Sequence, residues 1–354
     1  MTDRSDGHVD GEAELGRLFG IDGVMVDVRD LGRGNIHRTL LATYRMPGGG
    51  EARYVHQRLN GSVFADLDVL MDNLVRVTAH LGARAGDPRC AVRLRPAADG
   101  RPYVVDEAGQ PWRTLDFIDR GRSFPRFDGP AQAGEGAATA VRLVADLSDL
   151  APPLPEVIPA FHDVVRRLAD LDRAVTADAV GRASGCSELT NAVLDHGGLA
   201  HQVAEARADG RLPERTVHND AKTDNLLFDD ATGAGLCMVD LDTVGPGTVL
   251  FDVGDLVRSG SAVLPEDGDP YAANVDHAIV AAILGGYARA GAGLLTSSEV
   301  DLLQLAGPLM ALESAARFLT DHLHGDVYFR VEGPGHNLRR AHNQLRMLQL
   351  LLAA

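Results

Sequence analysis

Apolar and polar positions alternate with a period of two from Val24 to about Asp119. VMVDVRD, LLATYRM and RYVHQRL each read as a strand, and the turns LGRGNIHRT and MPGGG join them into a meander. PAADG and DEAGQ punctuate two more strand pairs, which end in WRTLDFID. One segment breaks the alternation. Leu67, Leu70, Met71, Leu74, Val77 and Leu81 recur at helical spacing behind Asp66, so a helix is expected over residues 66–81 with Asp66 as its N-cap.

After Arg120 the period lengthens. GRSFPRFDGP reads as a linker, and AATAVRLVADLSDL, FHDVVRRLADLD and NAVLDHGGLAHQVAEA as amphipathic helices. Thr296 and Glu299 form a capping-box signature ahead of a long apolar run to Leu323, and a last helix is expected over residues 337–351. One non-helical island interrupts them, TVHNDAKTDNLLFDDATGAGLCMVDLDTVGPG. The pattern predicts an α+β chain. A flexible lead-in over residues 1–20 precedes a small, mostly-β lobe with one helix over 21–120 and a larger, mostly-α lobe over 121–354.

Composition narrows the function classes. Thirty-four Lys+Arg against fifty Asp+Glu leave a net charge of −16, which argues against non-specific nucleic-acid binding. The three cysteines show no paired spacing, which argues against a disulfide framework or a zinc site. No run approaches twenty apolar residues, and the N-terminus is too polar for a signal peptide. A soluble cytoplasmic protein with no membrane partner is expected. Lys222 is the only lysine among 354 residues; every other basic side chain counted is arginine. A compact ammonium differs from a guanidinium where a point charge must reach a phosphate.

Lys222 lies in the island. His218, Asp220, Lys222 and Asn225 are followed by a turn and a strand ending at Asp240. Phosphoryl transfer from ATP needs a carboxylate for the acceptor's proton, a cation for the transferred oxygens, and an amide oxygen and carboxylate for Mg²⁺. The spacing H-x-D-x-K-x-x-N matches the protein-kinase catalytic loop, and the hydrophobic–Asp step at Asp240 matches its metal-binding aspartate. His218 is expected to orient the loop through backbone hydrogen bonds. Asp252 is expected to brace the loop by accepting backbone N–H bonds, a role compatible with capping its own helix. The bland alternative is a polar loop whose Asp and Asn only make turns.

The small lobe offers weaker signals. Gly32 and Gly34 fit a hairpin over phosphates, or a tight turn with no ligand. The third strand lacks the lysine that would hold phosphates. Alternation places Val55, Gln57 and Leu59 on one face and Tyr54, His56 and Arg58 on the other. With the first face taken as the inward one, Gln57 occupies the lysine-like position. Asn73, at the edge of the helix's apolar face, is its expected partner, giving a neutral amide pair in place of an ion pair. Two unrelated surface amides are the alternative.

The stretches GRGNIHRT, YVHQRLN, VLMDNLVRVT, WRTLDFID, HNDAKTDNLLFD, CMVDLDTVGPG, FDVGD and RFLTDHLHGDVYF carry a resemblance. The chain resembles the aminoglycoside/choline-kinase-type phosphotransferases and is most similar to the N-acetylhexosamine 1-kinases. The resemblance implies a protein-kinase-like two-lobe fold, with ATP and Mg²⁺ as cofactors. It makes Asp220 the base, places Asn225 and Asp240 on Mg²⁺, and adds Asp242 for a second ion. Phe117 and Ile118 fall among the nucleotide-binding positions. His37, Arg317 and Tyr328 match hexosamine-contacting positions. Salt bridging for Arg317 and core packing for Tyr328 are the plain alternatives. The expected activity is ATP- and Mg²⁺-dependent phosphorylation of a small-molecule hydroxyl acceptor, best a sugar at its anomeric hydroxyl. An aminoglycoside or amino-alcohol acceptor and a non-catalytic pseudokinase are the alternatives.

Overall fold

Alternation becomes register in the first of two structural units, Met1–Arg120. The computed structural model describes residues 14–31 and 36–353. Strands β1 (Val24–Asp30), β2 (Arg38–Arg45) and β3 (Glu51–Arg58) form an antiparallel meander. Helix α1 (Leu67–Arg84) follows, then β4 (Leu94–Arg95), β5 (Val104–Val105) and β6 (Pro111–Asp116). The sheet order is β1-β2-β3-β6-β4, with β5 on β6. Asp66 caps α1 as expected, its Oδ1 accepting from the N–H groups of Asp68 and Val69. The helix buries Leu70, Met71, Leu74, Val77 and Leu81, and runs one turn further than expected.

Which sheet face lies deeper differs from the expectation. Tyr54 and His56 are buried on β3, whereas Val55 and Gln57 are half-buried. The cause is a helical turn over residues 14–18. Its Leu15, together with Phe19, packs into one core with Leu40, Tyr44, Tyr54 and Trp112. Residues 14–20 are thus structural where a flexible lead-in was expected. His56 is satisfied there by Tyr44 Oη at 3.0 Å and Thr114 Oγ1 at 2.7 Å. Burial pushes its imidazole down to about 4, so the ring is neutral.

The second unit, Gly121–Ala354, is mostly helical. Strand β7 (Gly121–Arg122) leads into α2 (Pro130–Asp146), α3 (Val164–Ala177), α4 (Ser187–Leu194) and α5 (Gly197–Ala208). The island supplies β8 (Arg215–Val217), β9 (Leu226–Asp229), β10 (Gly235–Met238) and β11 (Gly245–Gly247). These form the sheets β10-β9-β7 and β11-β8. Helices α6 (Val249–Gly260), α7 (His277–Ala290), α8 (Ser297–Leu302), α9 (Ala306–Leu323) and α10 (His336–Leu352) complete the unit. Among the described residues, no helix is long and apolar enough to cross a membrane.

The capping box forms, with Thr296 and Glu299 bonding each other's backbone. Glu299 also takes a two-pronged hydrogen bond from Arg215 at 2.6 and 2.7 Å, which ties α8 to β8 just before the island's loop. The apolar run behind the box is broken into α8, a short 3-10 turn and α9, with Pro308 in the first turn of α9, where a missing N–H is tolerated.

Helices α6 and α9 cross where α6 has Gly254. A Cβ there would meet the Met310 side chain and the Ala306 carbonyl. Replacing Gly by Ala in a helix gains about 1 kcal/mol of propensity, but overpacking against backbone costs about 1–3 kcal/mol or more. Gly254→Ala is therefore expected to lower the urea unfolding midpoint, with a net loss of about 2 kcal/mol. An unchanged or raised midpoint would mean that the crossing yields to a methyl group.

Candidate active site

The loop after β8 is fixed from below by one carboxylate. Asp252, fully buried in the first turn of α6, accepts the N–H of His218 at 2.9 Å through Oδ2 and that of Asn219 at 2.8 Å through Oδ1. Burial pushes the Asp252 carboxyl up, against the two N–H groups that it accepts. Asn219 takes a left-handed backbone with φ 62°, and its Nδ2 donates to the carbonyls of Thr243 and Pro246. A non-glycine residue there is strained unless its side chain is held, and here it is.

His218 closes the loop against β10. Its Nε2 donates to the Val239 carbonyl at 2.9 Å, and its Nδ1 accepts the Asp220 N–H at 3.3 Å. The two partners fix the neutral tautomer.

Asp220, Lys222 and Asn225 come together around one oxygen. Asp220 Oδ2 receives Lys222 Nζ at 2.5 Å and Asn225 Nδ2 at 3.1 Å, and the same Nδ2 donates to the Asp220 carbonyl at 2.8 Å. Burial raises the Asp220 carboxyl, but Lys222 outweighs it and holds the carboxyl below its ordinary value. Burial likewise opposes the Lys222 ammonium, and Asp220 and Asp240 outweigh it, so the amine stays charged. A carboxylate ionised beside a charged amine can take a proton while the amine faces developing negative charge.

The hairpin β9–β10 brings Asp240 to the same end. Leu226 pairs with Met238, and the Val239 N–H donates to the Asn225 carbonyl at 2.8 Å. Asp240 itself has φ 61°, and Asp242 is buried in the short turn that follows. With Asn225 Nδ2 committed to Asp220, its amide oxygen is the atom left to face an ion. One amide oxygen and one or two carboxylates are hard donors that suit Mg²⁺. Among the described residues, no cluster of three or more His, Cys, Asp or Glu that could hold an ion is found.

Arg317 and Tyr328 lie near each other in the second unit. The Arg317 guanidinium stands 5.4 Å from the Phe161 ring centroid, 5.5 Å from Phe329 and 6.0 Å from Tyr328, and Nη1 reaches Glu313 Oε1 at 3.5 Å. Arg317 is thus both ion-paired and set among aromatic rings. Tyr328 is 60% exposed, so core packing does not account for it. Asp321 anchors its loop by accepting the N–H groups of Val327, Tyr328 and Phe329.

In the first unit, Gln57 is held at both ends, donating to Thr39 Oγ1 at 3.2 Å and accepting from Arg113 Nε at 2.9 Å. The partner that sequence reading missed is Arg113, directly opposite Gln57 in the β3–β6 register and buried. Asn73 is buried on the inner face of α1, not on the surface. His37 is buried, stacks on Phe64 with centroids 5.4 Å apart, and accepts the Asn60 N–H through Nδ1 at 3.1 Å. Phe117 lies under the Arg53 guanidinium, 4.5 Å from ring centroid to Cζ, and Ile118 beside it is half-buried. Gly32 and Gly34 lie outside the described residues.

A sequence profile described as the phosphotransferase enzyme family matches residues 99–292, more than half of the chain. The chain belongs to that family. Among solved structures, this phosphotransferase is similar to an aminoglycoside phosphotransferase from Alicyclobacillus acidocaldarius, with 14% identity, 92% of this chain and 90% of that one covered, and a TM-score of 0.62. It is similar to a choline kinase from Cryptosporidium parvum, with 12% identity, 98% and 97% covered, and a TM-score of 0.62. It is also similar to the amicoumacin kinase hAmiN in complex with AMP-PNP, Ca²⁺ and Ami, with 14% identity, 97% and 94% covered, and a TM-score of 0.59. These likenesses show the fold. It is the kinase-like architecture expected from the sequence, with a small antiparallel-sheet lobe and a larger helical lobe.

Asp252→Ala would leave two buried N–H groups without acceptors, at about 1–3 kcal/mol each. The variant is expected to unfold at markedly lower urea, with a loss of about 2–6 kcal/mol. Faster amide exchange at His218 and Asn219 should accompany it. Unchanged exchange at those two amides would show that Asp252 is not what holds the loop.

Proposed function

We propose that this phosphotransferase moves the γ-phosphoryl group of ATP to a sugar hydroxyl, and that the anomeric hydroxyl of an N-acetylhexosamine or related sugar fits best. The observation that carries the reading is the single oxygen of Asp220 shared by Lys222 and Asn225 on a clamped loop. Asp220 accepts the acceptor's proton as its oxygen bonds to the γ-phosphorus and ADP leaves. Lys222 faces the transferred oxygens. Asn225 and Asp240, with Asp242 behind them, would hold Mg²⁺, which when bound supplies positive charge to the phosphate oxygens. In the first unit, Gln57, Asn73, Phe117 and Ile118 are assigned to the nucleotide, and His37 to the sugar.

The acceptor side favours a neutral molecule. A cationic acceptor needs uncompensated carboxylates. Here Glu313 is matched by His162 and Arg317, Asp321 by backbone N–H groups and Asn337, and Asp326 by Arg182. The exposed Tyr328 ring suits an apolar sugar face. The second reading, an aminoglycoside or amino-alcohol acceptor, draws on solved neighbours that include spectinomycin and aminopropanol kinases. The intact set Asp220, Lys222, Asn225 and Asp240 opposes a non-catalytic role.

A thermal-shift screen of sugars, aminoglycosides and amino alcohols, with and without Mg-ATP, tests the acceptor class. N-acetylhexosamines are expected to raise the melting temperature most. Stabilisation by the amines alone would move the acceptor to the second class.

Asp220→Asn is expected to lower kcat by about 10²–10⁴ while sparing Mg-ATP binding. Lys222→Met should cost roughly 10²-fold in kcat with little change in KM, and Lys222→Arg should recover only part of it. A fully active Lys222→Met would remove the lysine from the chemistry.

A further inference from the structure

His162 lies just ahead of α3, outside the set that the motif supplies, yet it touches the catalytic loop. Its side chain is buried. Nε2 stands 2.8 Å from the carbonyl of Asn219, the residue before Asp220. Nδ1 stands 2.8 Å from Glu313 Oε2 on α9. A carbonyl only accepts, so Nε2 must carry a proton. A carboxylate that also meets Arg317 accepts as well, so Nδ1 carries one too. Two aromatic rings lie against the imidazole, Phe161 at 4.4 Å and Phe251 at 4.6 Å between centroids, a setting that favours a cation.

We propose that His162 is a positioning residue: as an imidazolium beside Phe161 and Phe251, it ties the Asn219 carbonyl to Glu313 and so fixes the loop that presents Asp220. This rests on the reading of Asp220 as the base. Asp252 holds the N–H side of the loop from α6, and His162, itself held by Glu313 of α9, holds its carbonyl side, so the peptide groups before Asp220 are gripped from two directions.

The same carboxylate gives the loop a link to the acceptor side. Glu313 Oε2 goes to His162 and Oε1 to Arg317 one turn along α9, while Phe161, the neighbour of His162, lies against Arg317. Arg317 is thereby connected to the loop through three contacts in series, of 3.5 Å to Glu313, 2.8 Å from Glu313 to His162 and 2.8 Å from His162 to the Asn219 carbonyl. The charged groups around the pair are Glu313 and Arg317 on α9, Arg167 on α3 and Asp255 on α6. Burial works against the imidazolium, and Glu313, with Asp255 behind it, outweighs burial and raises the ring above its ordinary value.

Three measurements test this. Ring-nitrogen NMR of ¹⁵N-histidine-labelled wild-type chain, assigned with His162→Gln, is expected to show both His162 nitrogens protonated at neutral pH without any substrate. Hydrogen exchange over residues 218–222 is expected to rise roughly tenfold in His162→Gln and in Glu313→Gln, with α7 unchanged, as befits the loss of one or two buried hydrogen bonds. In both variants kcat should fall roughly 10²-fold, the cost of a misplaced catalytic group, while KM for Mg-ATP stays within about threefold. A ring with one bare nitrogen, or unchanged exchange and kcat in both variants, overturns the proposal. A wild-type chain that phosphorylates no acceptor overturns the functional reading instead, and the ring and exchange measurements still decide the role of His162.

Discussion

Two backbone N–H groups, those of His218 and Asn219, end on the carboxylate of Asp252 in the first turn of a buried helix. Everything that the site offers is built outward from that grip. It lets Asn219 keep a left-handed backbone, which turns Asp220 toward Lys222 and Asn225. It also explains why α6 must lie deep in the second unit. A carboxylate buried without two or more donors would cost several kcal/mol, so the clamp and the helix's burial require each other. The close crossing at Gly254 is what lets α6 lie that near α9.

The charge arrangement follows the same logic. The chain carries sixteen more acidic than basic side chains, yet Asp220 and the carboxylates described near Arg317 have named partners. Buried charge persists where it is matched, and matched carboxylates leave little pull for a cationic acceptor. The sole lysine is placed where a compact charge meets a carboxylate oxygen at 2.5 Å, a place for which a planar guanidinium is poorly shaped.

Much of the second unit's chemistry was legible because it is local in sequence. Asp220, Lys222 and Asn225 lie within six residues, and the hairpin to Asp240 is closed by a short turn, so spacing alone brings them together. The Asp66 cap and the Thr296–Glu299 box were legible for the same reason. What was hidden depends on distant pairing. Arg113 meets Gln57 only through strand register across 56 positions, and His162 meets Glu313 across 151. Alternation on β3 showed that its faces differ, but not that Leu15 and Phe19 would cover the Tyr54 and His56 side. One signal was available: Glu313 stands as a lone acid inside the apolar run PLMALESAARFL, and a charge in such a place needs a partner.

The account's central claim is transfer to a sugar's anomeric oxygen, and ³¹P NMR of the chain incubated with Mg-ATP and an N-acetylhexosamine reads it directly. The account predicts a new phosphomonoester signal coupled to the anomeric proton, growing in step with ADP. ADP accompanied only by inorganic phosphate, or a phosphoester formed with amino alcohols and with no sugar, would contradict it.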